Sequence, residues 1–197
     1  MENEVKEPAS KYNYVSPEQY LEMERASEEK HEYYKGEIFA MSGASWRHNV
    51  IVKNINTKVL PFLVGKPCNM FGSDLRIHIP ENSLYTYPGL SIICGQPETT
   101  DDEKDTVVRP SVLIEVLSKS TKVYDRGTKF HLYRSIPTLQ EYILIDSTFI
   151  CIEIYKRLPD NRWQLTDLRN LTDSFTISTI GLSIQLHDVY HDVSFNE

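Results

Sequence analysis

Long apolar runs are missing from this chain. No stretch approaches the ~20 consecutive apolar residues that a bilayer span needs, and the opening "MENEVKEPASKYNY" holds no apolar signal core. The expectation is a soluble, cytoplasmic protein without a membrane partner. Cysteine is scarce too. The three present, Cys68, Cys94 and Cys151, are widely spaced, and two stand in strand-like apolar runs. That pattern argues against a zinc or disulfide framework and reads as reduced, buried thiols. Positive charge is in deficit, with 21 Lys and Arg against 28 Asp and Glu and a formal net charge of −7. Such a balance argues against tight, sequence-blind wrapping of nucleic acid, while a local basic stripe can still meet phosphates. Repeats and low-complexity segments are absent, and 40% of the 197 residues are hydrophobic, enough to bury a core. A single domain over 14–197 is expected, with a C-terminal β appendage at about 150–190 and a polar, loose N-terminus over 1–13.

Several elements carry their own signatures. "SPEQYLEMERASEE" predicts a helix, with Ser16 as N-cap, Pro17 in the first turn and Gln19 closing a capping box. "HEYYKGEIFAMS" predicts a hairpin turning at Lys35-Gly36, with Glu37 on the return strand. "SWRHNVIVKNINTKVLPFLVG" predicts a long helix capped by Ser45, with Val52, Ile55, Val59 and Phe62 on one face and Gly65 at its end. Strand candidates follow at "CNMFGSDLRIHI", "LSIIC" and "SVLIEVL", then a helix over 121–135, then "EYILID", "FICIEIYKR" and two shorter strands. This order predicts a mixed α/β sheet with helices packed on it.

The chemistry gathers around "SVLIEVLSKS". Strand alternation turns Val112, Ile114 and Val116 to one face and Leu113, Glu115 and Leu117 to the other. A carboxylate between apolar neighbours needs a cation, a proton or a hydrogen-bonding partner. Glu115 is therefore either a structural ion pair with a helix cation or part of a site. If 90–94 and 112–117 pair antiparallel, the start of the first strand lies beside the end of the second, and Gly89 falls next to Glu115. A Mg²⁺-built phosphodiester-cleaving site wants two or more convergent carboxylates. Glu115 supplies one, and position 89 is where the second belongs. On the next helix Asp125, Lys129 and Tyr133 recur at i, i+4, i+8. They are either a solvated face or a cluster in which Lys129 reaches back towards Glu115, with Lys122 and Arg126 offered to a nucleic-acid backbone.

The motifs "YYKGEIFAMSGAS", "FGSDLRI", "YTYPGLSIICG", "IEVLSKST" and "LQEYILID" occur in an order that resembles the Uma-two family, over about Tyr14 to Arg157. That resemblance implies a restriction-endonuclease-like α/β fold of the PD-(D/E)XK type, a mixed β-sheet flanked by helices with extra C-terminal strands. It implies endonuclease activity, Mg²⁺ or Mn²⁺ as cofactor and DNA as partner. Glu115 matches the glutamate of the half-motif. Two positions later stands Leu117, and the family's lysine falls on the following helix at Lys129. Glu37 resembles an upstream acid completing the metal site, although a plain hairpin charge explains it equally. Asp125 and Tyr133 belong to the same helix pattern. His48 and Asn49 match a His-Asn pair that can equally be structural.

Position 89 departs from the pattern. Tyr-Pro-Asp stands here as Tyr87-Pro88-Gly89, so the first metal carboxylate is missing and metal binding is expected to be weak or absent. A simple meander places Asp74 opposite Cys94, too far to substitute, and His78 is nearer but a poor ligand for Mg²⁺. Tyr85 and Tyr87 either pack or stack on bases. Trp163 reads as edge-covering structure, and His187 with His191 lacks a visible third ligand. Two functions stay open: a metal-dependent endonuclease degraded at Gly89, or a non-catalytic nucleic-acid-binding or assembly module. Cleavage of both strands of a duplex would suit a homodimer.

Overall fold

Ser16 begins α1 (Pro17–Ala26) as the sequence predicts, its hydroxyl accepting from the Gln19 N–H while the Gln19 side chain accepts from the Ser16 N–H at 2.9 Å. The computed structural model describes residues 14–195, so the expected loose segment 1–13 lies outside the described residues. Strands β1 (His31–Tyr34) and β2 (Glu37–Ala40) form the hairpin, turning on Lys35 and Gly36 with φ of 48° and 94°. A Cβ on Gly36 would run into the Tyr14 ring, so glycine is required there. Ser45 caps α2 (Trp46–Leu63), accepting from the His48 N–H at 3.3 Å. Its buried face is Ile51, Ile55, Val59 and Leu63, with Val52 and Phe62 only partly buried at the margin.

The remaining chain runs β3 (Cys68–Gly72), β4 (Arg76–Ile79), β5 (Leu84–Thr86), β6 (Leu90–Cys94), β7 (Thr106–Val107) and β8 (Val112–Leu117). A helical stretch follows: α3 (Lys122–Tyr124), a π turn at Asp125–Lys129, and α4 (Phe130–Tyr133). Then come β9 (Glu141–Asp146), β10 (Ile152–Arg157), β11 (Trp163–Leu168), β12 (Ser174–Ile177), β13 (Leu182–Gln185) and α5 (Leu186–Val189). A six-stranded sheet has the order β11-β10-β9-β8-β6-β3, in which β8 and β9 are parallel and the other pairs antiparallel. A five-stranded sheet has the order β2-β1-β5-β4-β7, and β12-β13 is a separate hairpin.

The larger sheet is apolar on both faces. Ile92, Ile114, Val116, Ile143 and Ile152 pack with α2 and the β12-β13 hairpin, while Leu113, Leu117 and Leu144 pack with Ile77, Ile79, Leu84 and Leu132. The fold is thus the mixed α/β arrangement expected, with helices against its sheets. Three details differ. The run 68–79 breaks at a turn after Gly72, and its halves join different sheets. Strands β10 and β11 extend the larger sheet, leaving only β12-β13 outside it among the C-terminal strands. Cys68 and Cys94, expected as thiols, form a disulfide. The β3–β6 register sets them directly opposite, with Cα atoms 3.9 Å apart, a juxtaposition their spacing in the chain does not reveal. Cys151 is a free, buried thiol. No helix among the described residues is long and apolar enough to cross a membrane.

Candidate active site

Strand β6 runs antiparallel to β8 with Leu90 opposite Ile114, and this register delivers Gly89 to Glu115. The Gly89 N–H donates to Glu115 Oε2 at 2.9 Å. Glu115 is 7% exposed on the face it shares with Leu113 and Leu117. Its Oε1 accepts from the Tyr133 hydroxyl at 3.1 Å and lies 3.0 Å from Lys129 Nζ. Lys129 also pairs with Glu32 at 3.0 Å and with Asp125 at 3.7 Å. The π turn carries both Asp125 and Lys129 to the buried side of the helical stretch, the kind of local widening that recurs at functional sites.

Electrostatics follow from this crowding. Burial works against the Lys129 ammonium, but Glu115, Glu32 and Asp125 outweigh it and hold its pKa well above the ordinary lysine value. Burial, then the neighbouring Glu115, pushes Asp125 up to about 6 against the opposing pull of Lys129. Burial first, and Glu115 next, raises the Tyr133 phenol. Glu32, Glu115, Asp125, Lys129 and Gly89 line one cavity of about 230 Å³, and His48 enters it from α2. His48 bonds to the Val116 backbone, and burial lowers its pKa despite Glu115 nearby.

Other expected site residues lie elsewhere. Glu37 is exposed beside the hairpin turn, paired across the strands with Tyr34, and does not line the cavity. The acid that does is Glu32, opposite Phe39, accepting from Thr86 Oγ1 and pairing with Lys129. Asp74 is not at the Cys94 end: Gly72 lies opposite Leu90, so the turn after β3 sits at the Gly89 end. Its side chain is 98% exposed, however, and pairs with Lys30. Arg126 turns to Glu153 at 2.6 Å and Asp146 at 3.3 Å rather than outward to a phosphate. Tyr85 packs among Tyr20, Tyr33 and His78, while Tyr87 donates to Glu24 at 2.8 Å and accepts from Arg76 at 3.0 Å. Asn49 donates to the Ser45 carbonyl at 2.9 Å, a structural role. Trp163, on edge strand β11, meets Phe130 edge-on. His187 and His191 are exposed.

His78 has a separate consequence. Its ring stacks on Tyr85 with centroids 3.9 Å apart, and burial pushes its pKa down to about 4. The folded imidazole stays neutral while the unfolded one protonates below its ordinary 6.5, so stability is lost as pH falls from 6.5 towards 4. His78→Gln is expected to flatten that part of the acid-unfolding profile. Equal slopes for both proteins in urea titrations across this window would refute the assignment.

The model of the Uma2 family, described as "Putative restriction endonuclease", matches residues 17–187. The chain belongs to the Uma2 family. It is 38% identical over 190 residues to protein slr1290 of Synechocystis sp., covering 95% of this chain and 97% of that protein. Protein sll1609 of the same organism is 40% identical over 151 residues, covering 76% of this chain and 85% of that one. A crystal structure from Anabaena variabilis, titled "a putative nuclease belonging to DUF820", superposes with a TM-score of 0.67 at 19% identity, over 89% of this chain and 97% of the other. That likeness establishes a shared fold.

Restriction-endonuclease-like proteins generally use divalent metals, so the Uma2 donors can be tested for fit. They do not fit as they stand. Glu115 has both oxygens engaged, by Gly89 on one and by Tyr133 and Lys129 on the other. Glu32 is held by Thr86 and Lys129, and position 89 contributes only a hydrogen. Among the described residues no three His, Cys, Asp or Glu side chains are grouped so as to hold a metal ion.

Proposed function

We propose that this chain is a nucleic-acid-binding protein on a nuclease scaffold, descended from a metal-dependent endonuclease, with phosphodiester hydrolysis severely weakened by one missing carboxylate. One observation carries the reading. The backbone of Gly89 lies at hydrogen-bond distance from Glu115, where a side chain at 89 would share the cavity with that carboxylate. Glu115, Lys129 and Tyr133 remain packed as a unit around the gap. An intact site would use Lys129 to offset charge developing on the phosphate and would need two acids to position the cation that activates water. Of the facing positions 89 and 115, only 115 carries a carboxylate, while Glu32 and Asp125 are drawn to Lys129.

The test is nicking of supercoiled plasmid by wild type with Mg²⁺ or Mn²⁺, alongside binding of the same DNA in EDTA. Binding with little or no nicking is expected. Efficient nicking that Glu115→Ala abolishes would overturn the loss of activity and make Glu32 the second acid. Nicking that survives Glu115→Ala would mark a contaminating nuclease and require repurification before the comparison is scored.

A further inference from the structure

We infer that the chain forms a two-fold dimer in which β2 pairs antiparallel with β2 of a second copy, centred on Phe39. The inference stands on the hairpin edge and does not depend on the nuclease reading. Strand β2 ends the five-stranded sheet, and among the described residues no strand pairs with its outer side. The register shows which backbone groups are left open. Tyr34 and Glu37 flank a two-residue turn and exchange hydrogen bonds. Alternation makes Glu32–Phe39 the next bonded pair, and the Met41 N–H, donating to the Lys30 carbonyl at 2.9 Å, continues the series. Phe39 thus turns its amide and carbonyl to β1, while those of Ile38 and Ala40 point outward along an open edge.

Two features select a second copy as the occupant. The first is charge. Open edges are commonly guarded by a charged residue or a proline, yet residues 38–46 hold neither, and Phe39 is 47% exposed. Copies of a chain with a net charge of −7 repel one another, and an uncharged run is where they can approach. The second feature is self-complementarity, which a two-fold contact demands. With Phe39 on the axis, Ile38 of each copy faces Ala40 of the other, and each such pair exchanges both its N–H···O bonds. Phe39 meets its own counterpart at a non-hydrogen-bonded position, where side chains come closest. Glu37 falls opposite Met41, so like charges are not set face to face. The site gains a wall from this contact. Phe39 shares a face of the hairpin with Glu32, and residues 39–45 line the first cavity. The second copy therefore brings its Phe39 to the rim of that cavity, and the two cavities open on one face of a continuous sheet.

Short edge strands bury little surface, so the dimer is weak and reversible. Sedimentation equilibrium across the micromolar range should show monomer and dimer exchanging. Added salt should tighten the association, because screening removes the repulsion between two acidic copies. Phe39→Lys sets like charges on the axis and is expected to weaken association about tenfold. Ala40→Pro removes an outward N–H that the monomer does not use and should act in the same direction, with circular dichroism confirming the fold. Cross-linking fixes the register. Phe39→Cys should give a covalent dimer on mild oxidation, since directly opposite positions lie within disulfide reach. Glu37→Cys alone should not, its counterpart being about 14 Å away along the strands, but mixed with Met41→Cys it should. The native cysteines do not interfere, Cys68 and Cys94 being joined and Cys151 buried. A wild type that stays monomeric throughout would overturn the inference and leave the edge to a peptide strand of another protein. Undiminished association in Phe39→Lys, or cross-linking of Glu37→Cys alone as readily as Phe39→Cys, would place the contact elsewhere and overturn it too. Neither outcome bears on plasmid nicking, which tests the nuclease reading separately.

Discussion

Gly89→Asp is expected to convert a protein that barely nicks plasmid DNA into one that cuts it, with a gain of about 10²-fold or more, the scale on which mispositioned reacting groups cost rate. Gly89 is not among the glycines with positive φ, so an L side chain meets no backbone strain. A Cβ there would lie 3.2 Å from the Ile114 carbonyl oxygen, 3.6 Å from Glu115 Oε2 and 3.7 Å from the Val116 nitrogen. The first contact is tight and requires a shift of a few tenths of an ångström, with the neighbouring backbone yielding. Two adjacent carboxylates resist simultaneous ionisation unless a cation joins them. Mn²⁺ should therefore raise the melting temperature of Gly89→Asp and leave wild type unchanged, with about 2.7 kcal/mol of stabilisation at a hundredfold excess over Kd. Gly89→Asp/Glu115→Ala should lose both effects. A well-folded Gly89→Asp that neither binds Mn²⁺ nor nicks would sink the proposal and favour a dedicated binding module.

Lys129→Met is expected to cost about 3–5 kcal/mol of stability at neutral pH, the range for breaking a buried ion pair by removing one partner. The methionine fills much of the volume but leaves Glu32, Glu115 and Asp125 without their shared cation. In wild type the raised Lys129 pKa makes its contribution complete below the ordinary value of 10.5 and lost only as pH rises through the folded value. The loss in the variant should shrink as pH falls and the carboxyls take up protons. It should also shrink when Glu32→Gln and Glu115→Gln are added. Denaturant titrations at neutral and acidic pH decide this, and a loss independent of pH would assign the effect to packing alone.

Much of this site is legible in the chain because its signals are local. Alternation in 112–117 sets the facing of Glu115, and antiparallel pairing of 112–117 with 90–94 across the polar loop 95–110 brings the start of the first strand beside the end of the second, so the Gly89–Glu115 contact follows. The i, i+4, i+8 spacing of Asp125, Lys129 and Tyr133 likewise survives, although the π turn that accommodates it leaves no mark in the residues. Glu32 was illegible for a physical reason. In "HEYYKGE" both glutamates suit a hairpin, and which one is buried depends on the docking of β1 against a helix far along the chain. The disulfide was hidden similarly, since it depends on the β3–β6 register. That same register corrected Asp74 as well.

The reach of Lys129 also bears on the order in which the molecule assembles. Glu32 belongs to the five-stranded sheet and Glu115 to the six-stranded one, so the ammonium meets both only after the two sheets dock. Hairpins such as β1-β2 and β9-β10 need no such contact and can form from neighbouring chain. The ion cluster is then expected to form late, after the folding transition state. Glu32→Gln should leave the refolding rate nearly unchanged and express its destabilisation as faster unfolding, giving a φ-value near zero in stopped-flow measurements.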